Sequence, residues 1–284
     1  MRKGFGLIAG LDIGASTTKG VILKNREIVH GCLVPTSEPA STASKTLESL
    51  LANTGAKEGI DLVAVSGGGA RKIGDVLLGL PVIKVDEIHA IGSGGLTLAR
   101  KRKGLVVSVG TGTAMVAAYA GGKRVRHVGG TGVGGGTLLG LSRRLLGIED
   151  FQTLENMASR GNTNMVDLTV GDIVGGSVGI VPAEATASNF GRLADVACEK
   201  DVAAGIFNMV SQVIGVLAAM AAKAYGLEDS VILAGRLVAS YIVFEDIRKS
   251  AGLFGVKAYV PRHCEYCTAV GAARHVFLSG KLSR

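Results

Sequence analysis

Two segments of the chain repeat one pattern: an apolar strand, a turn rich in Gly, Thr and Ser, and a second apolar strand. They read LDIGASTTKGVIL at 11–23 and VSVGTGTAMVAAY at 107–119. Apolar runs on either side of a short turn predict a β-hairpin over 5–24 and another over 104–122. A hairpin repeated in each half is typical of two α/β domains with a cleft between them, and such clefts are favoured ligand sites.

The remaining pattern alternates helices and strands. A basic run, Arg100–Lys103, precedes the second hairpin, so we place the domain boundary there and predict domains at 1–104 and 105–284. Apolar periodicity predicts strands at 61–69 and 81–87 and a short strand at 230–235, whereas 151–200 is more polar and irregular. It also predicts helices at 43–52, 203–224 and 268–278.

Composition excludes several classes of protein. Gly accounts for 43 of 284 residues without a three-residue period, and Pro for only 5, so collagen and low-complexity linkers are excluded. An apolar fraction of 47% with 19% charged residues excludes a disordered chain. The net charge is +8, but the basic run lacks interleaved aromatic residues. We expect a solvated loop there, with an anion-attracting surface as the alternative, and no nucleic-acid partner.

The mean hydropathy of +0.38 raises the question of a membrane span. The most apolar stretch, 203–224, is interrupted by Asn208, Ser211 and Gln212. Its uninterrupted part, 213–222, is shorter than the roughly 20 residues that a spanning helix needs. We therefore expect a buried helix, no membrane association and a cytoplasmic protein.

The first turn, residues 12–19, carries groups suited to phosphate. Backbone N–H groups near Gly14, the hydroxyls of Ser16, Thr17 and Thr18, and the Lys19 ammonium are all donors to phosphate oxygens. Asp12 at the end of a buried strand is costly unless it binds a cation or a hydrogen-bond network, and a hydrated Mg²⁺ beside phosphates would satisfy it. The alternative is an ordinary hairpin turn with an Asx hydrogen bond.

Two further glycine-rich segments follow. The second turn comprises Gly110, Thr111, Gly112 and Thr113, and the third loop, 129–136, leads into a predicted helix at Gly134, Gly135 and Gly136. A helix N-terminus is a natural anion site. Three such segments predict a nucleotide-phosphate site. Neither a Walker A motif nor a dinucleotide fingerprint is present in the sequence.

The order of these motifs resembles a known superfamily. LDIGASTTKGVIL, SVGTGTAM and ILAGRL resemble the phosphate-1, phosphate-2 and adenosine segments of the actin–hexokinase–Hsp70 ATPases. The finer resemblance is to the type II (Fumble-type) pantothenate kinases. It covers most of the chain, including VSGGGARKI, VDEIHAIGSGG, VGGTGVGGGTLLGL, TASNFG and TAVGAA.

The resemblance implies a two-domain actin-like ATPase (ribonuclease H-like) α/β fold with a nucleotide cleft between the domains. It implies a homodimer formed through the second domain, with ATP and Mg²⁺ used to phosphorylate pantothenate. Glu87, expected at the end of the 81–87 strand, would be the general base, although its neighbour Asp86 makes the assignment ambiguous. The other implied roles are Asp12 for the metal, Thr111, His127, Gly129 and Gly130 for pantothenate, and Asn189 and Gly235 for the nucleotide.

The sequence departs from the family pattern at several places. His127 stands where the family has an Arg before V-G-G, and Arg126 cannot substitute because a one-residue shift turns a strand side chain to the other face. Arg236 stands where a small Ser is usual. Cys264 and Cys267 replace small or neutral residues.

The cysteines leave an alternative open. Activators of 2-hydroxyacyl-CoA dehydratases share this fold and bridge a [4Fe–4S] cluster across a dimer with two Cys from each chain. The plain alternative is a pair of ordinary thiols. A sugar kinase of the superfamily would carry an N-D-x-x-A segment, which the sequence lacks. A non-catalytic nucleotide-binding protein is the remaining alternative.

Overall fold

The computed structural model describes residues 6–24, 26–54, 59–192 and 196–279. Residue 5 of the first predicted hairpin lies outside these ranges. The β-strands are β1 (Leu7–Ile13), β2 (Thr17–Lys24), β3 (Glu27–Pro35), β4 (Ile60–Ser66), β5 (Val76–Leu77), β6 (Leu80–Lys84), β7 (Gly104–Val109), β8 (Thr113–Tyr119), β9 (Arg124–Thr131), β10 (Leu168–Thr169), β11 (Thr186–Ser188), β12 (Val231–Ala234) and β13 (Ala258–Tyr259). The α-helices are α1 (Pro39–Thr54), α2 (Glu87–Leu98), α3 (Gly135–Leu146), α4 (Phe151–Ala158), α5 (Val170–Val174), α6 (Glu199–Tyr225), α7 (Tyr241–Gly252) and α8 (Cys267–Ser279).

The two main sheets repeat one topology. The first has the order β3-β2-β1-β4-β6-β5 and the second the order β13-β12-β7-β8-β9. In each sheet a three-stranded antiparallel meander is extended by two parallel strands, β4 and β6 in the first and β12 and β13 in the second. The first two strands of each meander, β1–β2 and β7–β8, are the two hairpins that the repeated sequence pattern predicts.

Apolar side chains arrange the helices around these sheets. Helix α1 packs Leu47 and Leu50 against one face of the first sheet, and α8 packs Val270 and Val276 against the other. Helix α2 packs on the second sheet, and α6 packs on the opposite face of that sheet. Two helices, α2 and α8, therefore lie between the sheets.

Helices α2 and α8 touch backbone to backbone through glycine. A Cβ atom at Gly271 would lie 1.7 Å from the Ala90 carbonyl oxygen, and one at Gly94 would lie 1.9 Å from the Cys267 carbonyl oxygen. Across the same contact, the Ser93 hydroxyl donates to the Gly271 carbonyl at 3.1 Å. The small residues of both helices thus allow this close contact, since a larger side chain would force the helices apart.

Several predicted boundaries were wrong. The strand expected at 81–87 ends at Lys84, because Asp86 caps a helix that begins at Glu87. The strand expected at 61–69 ends at Ser66, because Gly67 adopts a φ of 87°. The third loop begins later than expected, since β9 extends to Thr131. The segment 151–200 contains α4, α5, β10 and β11.

Helix α6 is the predicted buried helix, lengthened to Glu199–Tyr225. Its length and composition alone would suffice for a membrane span, but 61% of its most apolar window is buried inside the protein. Such burial is typical of a core helix, and α6 packs Phe207 and Ile214 against the second sheet.

The domain boundary at 104/105 stays a prediction. Strand β7 begins at Gly104, so the second sheet starts at this point of the chain. The last helix, α8, nevertheless packs on the first sheet. A covering layer of the first sheet thus comes from the far end of the sequence.

Candidate active site

The first turn joins β1 to β2 and places Asp12 opposite Lys19. The two residues are register partners, and the Lys19 ammonium donates to Asp12 Oδ2 at 2.8 Å. Asp12 is only 6% exposed. A buried carboxylate needs a charged partner, which Lys19 supplies in this structure.

The other residues of the first turn divide into two groups. Ser16 is exposed and Gly14 and Thr17 are half-buried. Thr18 is fully buried, and its hydroxyl lies 2.8 Å from that of Thr36. Thr18 therefore supports the turn from behind, while Ser16, Thr17 and Lys19 remain available at its front.

The end of β4 completes the surroundings of Asp12. A Cβ atom on Gly67, which has a positive φ, would lie 2.6 Å from Asp12 Oδ1. Only glycine therefore fits at this position, where the Asp12 carboxylate packs against the backbone that follows β4. The preceding residue, Ser66, is the register partner of Asp12 and is fully buried. Reasoning from the sequence assigned neither residue a role, although the glycine run in VSGGG was a usable signal.

Glu87 lies in the first turn of α2. Burial raises the pKa of the Glu87 carboxyl, and the negative charge of Asp12 raises it further, while Lys19 acts in the opposite direction. Asp12, Lys19 and Glu87 are therefore one electrostatic cluster. An acid with a raised pKa beside a largely buried ion pair is typical of a functional site.

Asp86, the neighbour of Glu87, caps the N-terminus of α2. Its carboxylate accepts the His89 backbone N–H at 3.1 Å and lies 3.2 Å from the His89 ring Nδ1. Burial opposes ionisation of Asp86, but these hydrogen bonds outweigh burial and lower its pKa. Asp86 is thus occupied as a helix cap, and the geometry favours Glu87 as the reactive acid.

The second turn and the third loop are joined by backbone hydrogen bonds. The N–H groups of Gly135 and Gly136 donate to the carbonyls of Gly110 and Thr111 at 2.8 and 2.9 Å. A Cβ on Gly134 would lie 2.8 Å from the Thr111 carbonyl oxygen. The glycines at the start of α3 therefore hold the second turn in place, and the N–H groups of Gly135 and Gly136 are already used.

The hydroxyl of Thr113 also supports the loops. Thr113 is 6% exposed and donates to the Val133 carbonyl at 2.8 Å, as the buried Thr18 supports the first turn. A Cβ on Gly130 would lie 2.4 Å from the Thr113 carbonyl oxygen. Thr111 is exposed at the tip of the second turn, and Gly112 is half-buried.

His127 and Arg126 are both exposed on β9, the edge strand of the second sheet. The pairing of β8 with β9 is interrupted at Val128, between His127 and Gly129, by a β-bulge. Arg126 lies over the Tyr225 ring at 5.5 Å from its centroid. Arg126 thus has an aromatic partner of its own.

Gly235 and Asn189, the two remaining residues expected near the nucleotide, lie in different surroundings. Gly235 has a φ of 106°, and its Cβ would lie 2.1 Å from the carbonyl oxygen of Val109, which ends β7 beside the second turn. Asn189 donates to Gln212 on α6 at 3.4 Å. The structure joins Gly235 to the second turn, whereas it ties Asn189 to α6.

The cysteine pair is buried. The Cys264 thiol donates to the Gly235 carbonyl at 3.6 Å and the Cys267 thiol to the Ile91 carbonyl at 3.6 Å. Burial and the charge of Glu265 raise the pKa of Cys264 to about 12, and burial raises the pKa of Cys267 as well. Both thiols are therefore held in the protonated form, as donors to carbonyls of their own chain.

We expect the cysteines to differ in their rate of alkylation. In the native protein iodoacetamide should modify the exposed Cys198 rapidly, whereas Cys264 and Cys267 should react only after unfolding. Mass spectrometry of peptides after timed labelling measures this. Rapid native labelling of Cys264 and Cys267, or iron in protein prepared without oxygen, would contradict the buried structural role.

The residues around Asp12 suit a hydrated Mg²⁺ ion. In the part of the chain that the structure describes, no cluster of three or more His, Cys, Asp or Glu side chains could hold a metal alone. Magnesium commonly takes one or two protein carboxylates together with waters and substrate phosphates. The Asp12 carboxylate matches that requirement.

The chain is similar to known proteins both in sequence and in structure. In sequence, the chain is 28% identical over 250 residues to a type II pantothenate kinase of Bacillus cereus, covering 85% of this chain and 87% of the relative. In structure, it resembles an activator of 2-hydroxyisocaproyl-CoA dehydratase from Clostridium difficile with bound ADPNP, with a TM-score of 0.70, 22% identity and coverage of 98% and 96% of the two chains.

A ROK hexokinase from Thermus thermophilus is also similar, with a TM-score of 0.61, 14% identity and coverage of 96% and 99% of the two chains. These structural similarities confirm the predicted actin-like ATPase fold. The family model named Fumble matches residues 103–275, which is more than half of the sequence. The chain therefore belongs to the Fumble family.

Proposed function

We propose that this protein transfers the γ-phosphoryl group of ATP to the primary hydroxyl of pantothenate. The products are 4′-phosphopantothenate and ADP, and the reaction is the first step of coenzyme A biosynthesis. Membership of the Fumble family supports this proposal, as does similarity to type II pantothenate kinases over most of the chain.

The observation that carries the proposal is Glu87. Its carboxyl is held in the first turn of α2, and burial and Asp12 raise its pKa. A raised pKa makes the carboxylate a stronger base toward an alcohol. Glu87 accepts the proton of the pantothenate hydroxyl as that oxygen attacks the γ-phosphorus.

The turns supply the phosphate contacts in this proposal. Ser16, Thr17 and Lys19 of the first turn and Thr111 and Gly112 of the second surround the phosphates. Gly134, Gly135 and Gly136 act by positioning the second turn, because two of their N–H groups already donate to it. Gly235, packed on the end of β7, borders the adenosine, and Asn189 on its polar loop is the least supported nucleotide contact.

Asp12 would hold Mg²⁺ against the phosphates. Bound there, the ion would neutralise charge on the transferred phosphoryl group. Lys19, which forms an ion pair with Asp12, adds a second positive charge from within the protein.

The acceptor lies on the side of Thr111, His127, Gly129 and Gly130. Gly129 has a φ of 153° and open space at its Cβ position, so the backbone can approach a substrate there. His127 is shorter than the family arginine, and its charge depends on pH, so it recognises the pantothenate carboxylate less firmly. We therefore expect this chain to differ from its relatives more in acceptor specificity than in the use of ATP.

We also propose a cytoplasmic homodimer that uses no nucleic acid or membrane. Dimerisation through residues after 105 is supported by exposed apolar side chains at Ile173, Val174, Val178 and Ile180. These residues follow one another along a single segment, as expected of a contact surface.

The activator function is the less supported alternative. The dehydratase activator shares the fold at 22% identity, which bears on architecture alone. A cluster bridged between subunits needs thiolates at a surface, whereas Cys264 and Cys267 are 3% and 2% exposed and donate to carbonyls of their own chain.

The test is ADP release from ATP and Mg²⁺ with single acceptors in parallel: pantothenate, pantetheine, glucose and N-acetylglucosamine. We expect release that depends on pantothenate, with phosphopantothenate identified by mass spectrometry. Stronger stimulation of ADP release by another acceptor would show that this acceptor, and not pantothenate, is the substrate. ATP binding without any acceptor-dependent release would contradict kinase activity.

A further inference from the structure

Ser66, the last residue of β4, has a buried hydroxyl group with no hydrogen-bond partner among the described residues. It is 0% exposed, and its Oγ makes no hydrogen bond to any described residue. Buried polar groups of native proteins nearly always have a partner, so an exception calls for an explanation. Its position beside the phosphate turns provides one.

Ser66 lies directly beside Asp12. The two are register partners in the parallel pair β4–β1, so their side chains point to the same face of the sheet. That face is covered by α8, as shown by Leu62 and Ala64, which precede Ser66 on it. Since a Cβ on Gly67 would lie 2.6 Å from Asp12 Oδ1, the Asp12 carboxylate leans onto the end of β4.

Asp12 already has one donor in this structure. The Lys19 ammonium donates to Asp12 Oδ2 at 2.8 Å, which fixes the orientation of the carboxylate. When phosphates enter the first turn, the Lys19 ammonium has stronger acceptors in reach. Asp12 then loses the contact that fixes its orientation, at the moment when it is to receive the metal.

We infer that Ser66 is a positioning residue that replaces Lys19 as the donor to Asp12 when nucleotide binds. In this proposal the Ser66 hydroxyl turns toward the Asp12 carboxylate and keeps the orientation that a hydrated Mg²⁺ requires. This inference rests on the proposed use of ATP at the first turn.

The chain contains a matched control. Ser211 on α6 is also 0% exposed, and its Oγ is likewise without a partner among the described residues. It lies in the layer that packs on the far face of the second sheet. Removing an unpaired buried hydroxyl relieves the penalty of its desolvation, so both Ser66→Ala and Ser211→Ala should melt at or above the wild-type temperature.

The experiment compares these two variants with the wild type. Mn²⁺ binding is followed by electron paramagnetic resonance in the presence of a non-hydrolysable ATP analogue, and binding of the analogue alone is measured in EDTA. We expect Ser66→Ala to raise the Mn²⁺ concentration for half-saturation about tenfold, the effect of one lost hydrogen bond to a charged group. Ser211→Ala should not change it, and binding in EDTA should be equal in all three proteins.

Two results would overturn the inference. One is a Ser66→Ala protein that matches Ser211→Ala in Mn²⁺ affinity, and the other is a Ser66→Ala protein that melts early or loses the analogue in EDTA. If the wild type binds Mn²⁺ and the analogue but does not phosphorylate pantothenate, the proposed function fails, while the comparison still decides the role of Ser66.

Discussion

Replacing Glu87 by Gln is expected to lower the rate of pantothenate-dependent ADP release by roughly 10²–10⁴-fold, the usual contribution of a positioned general base. Gln has nearly the same shape as Glu but cannot accept the hydroxyl proton. ATP affinity, measured by calorimetry, should change little. In the wild type, activity should fall as the pH falls through the raised pKa of Glu87, because the carboxylate form is then lost.

Asp86→Asn is the matched control for this variant. Asn caps a helix about as well as Asp, so the hydrogen bond from the His89 N–H is retained and α2 should begin at the same residue. We expect Asp86→Asn to keep most of the wild-type rate. A large loss in Asp86→Asn with an active Glu87→Gln protein would reverse the assignment of the two neighbouring acids.

Replacing Gly271 by Ala is expected to lower the free energy of unfolding by about 3 kcal/mol, at the upper end of the usual cost of overpacking. The new Cβ would lie 1.7 Å from the Ala90 carbonyl oxygen and 2.8 Å from the Gly94 nitrogen. Both are backbone atoms of α2, so no side chain can move aside. The helices must separate, and the layers between the two sheets must separate with them.

Gly140→Ala provides the contrast. Gly140 is an exposed residue inside α3 with nothing within 4 Å of its Cβ position. Alanine there should raise the free energy of unfolding by about 0.5–1 kcal/mol, the ordinary gain for Gly to Ala in a helix. Urea denaturation of both variants measures the difference, and an unchanged midpoint for Gly271→Ala would contradict the close contact of α2 and α8.

The local features of the site were predictable from sequence. The two hairpins follow from apolar runs on both sides of glycine-rich turns, and Asp12 was singled out because a carboxylate in a buried strand needs a partner. Lys19 lies across the turn from it, as a two-strand register requires. The resemblance, not the local pattern, distinguished Glu87 as the base.

Other features depended on contacts that no local pattern reports. Alternation in PVIKVDE suggested a strand through Glu87, although Asp86 followed by a helical pattern was an available N-cap signal. The buried positions of Thr18 and Thr113 depend on Thr36 and Val133, which are distant in sequence. The contact of Cys267 with Ile91 likewise joins α8 to α2 across 176 positions of the sequence.

The position of α8 has a consequence for how the protein is made. The first sheet is translated first, yet the face that carries Ile8, Val21 and Leu62 is covered by a helix translated after the whole second sheet. Domains usually fold as units in the order of synthesis, but this one lacks part of its core until residues 267–279 leave the ribosome. During that interval its apolar face is open to chaperones and to aggregation, and folding is completed only when the two ends of the chain meet.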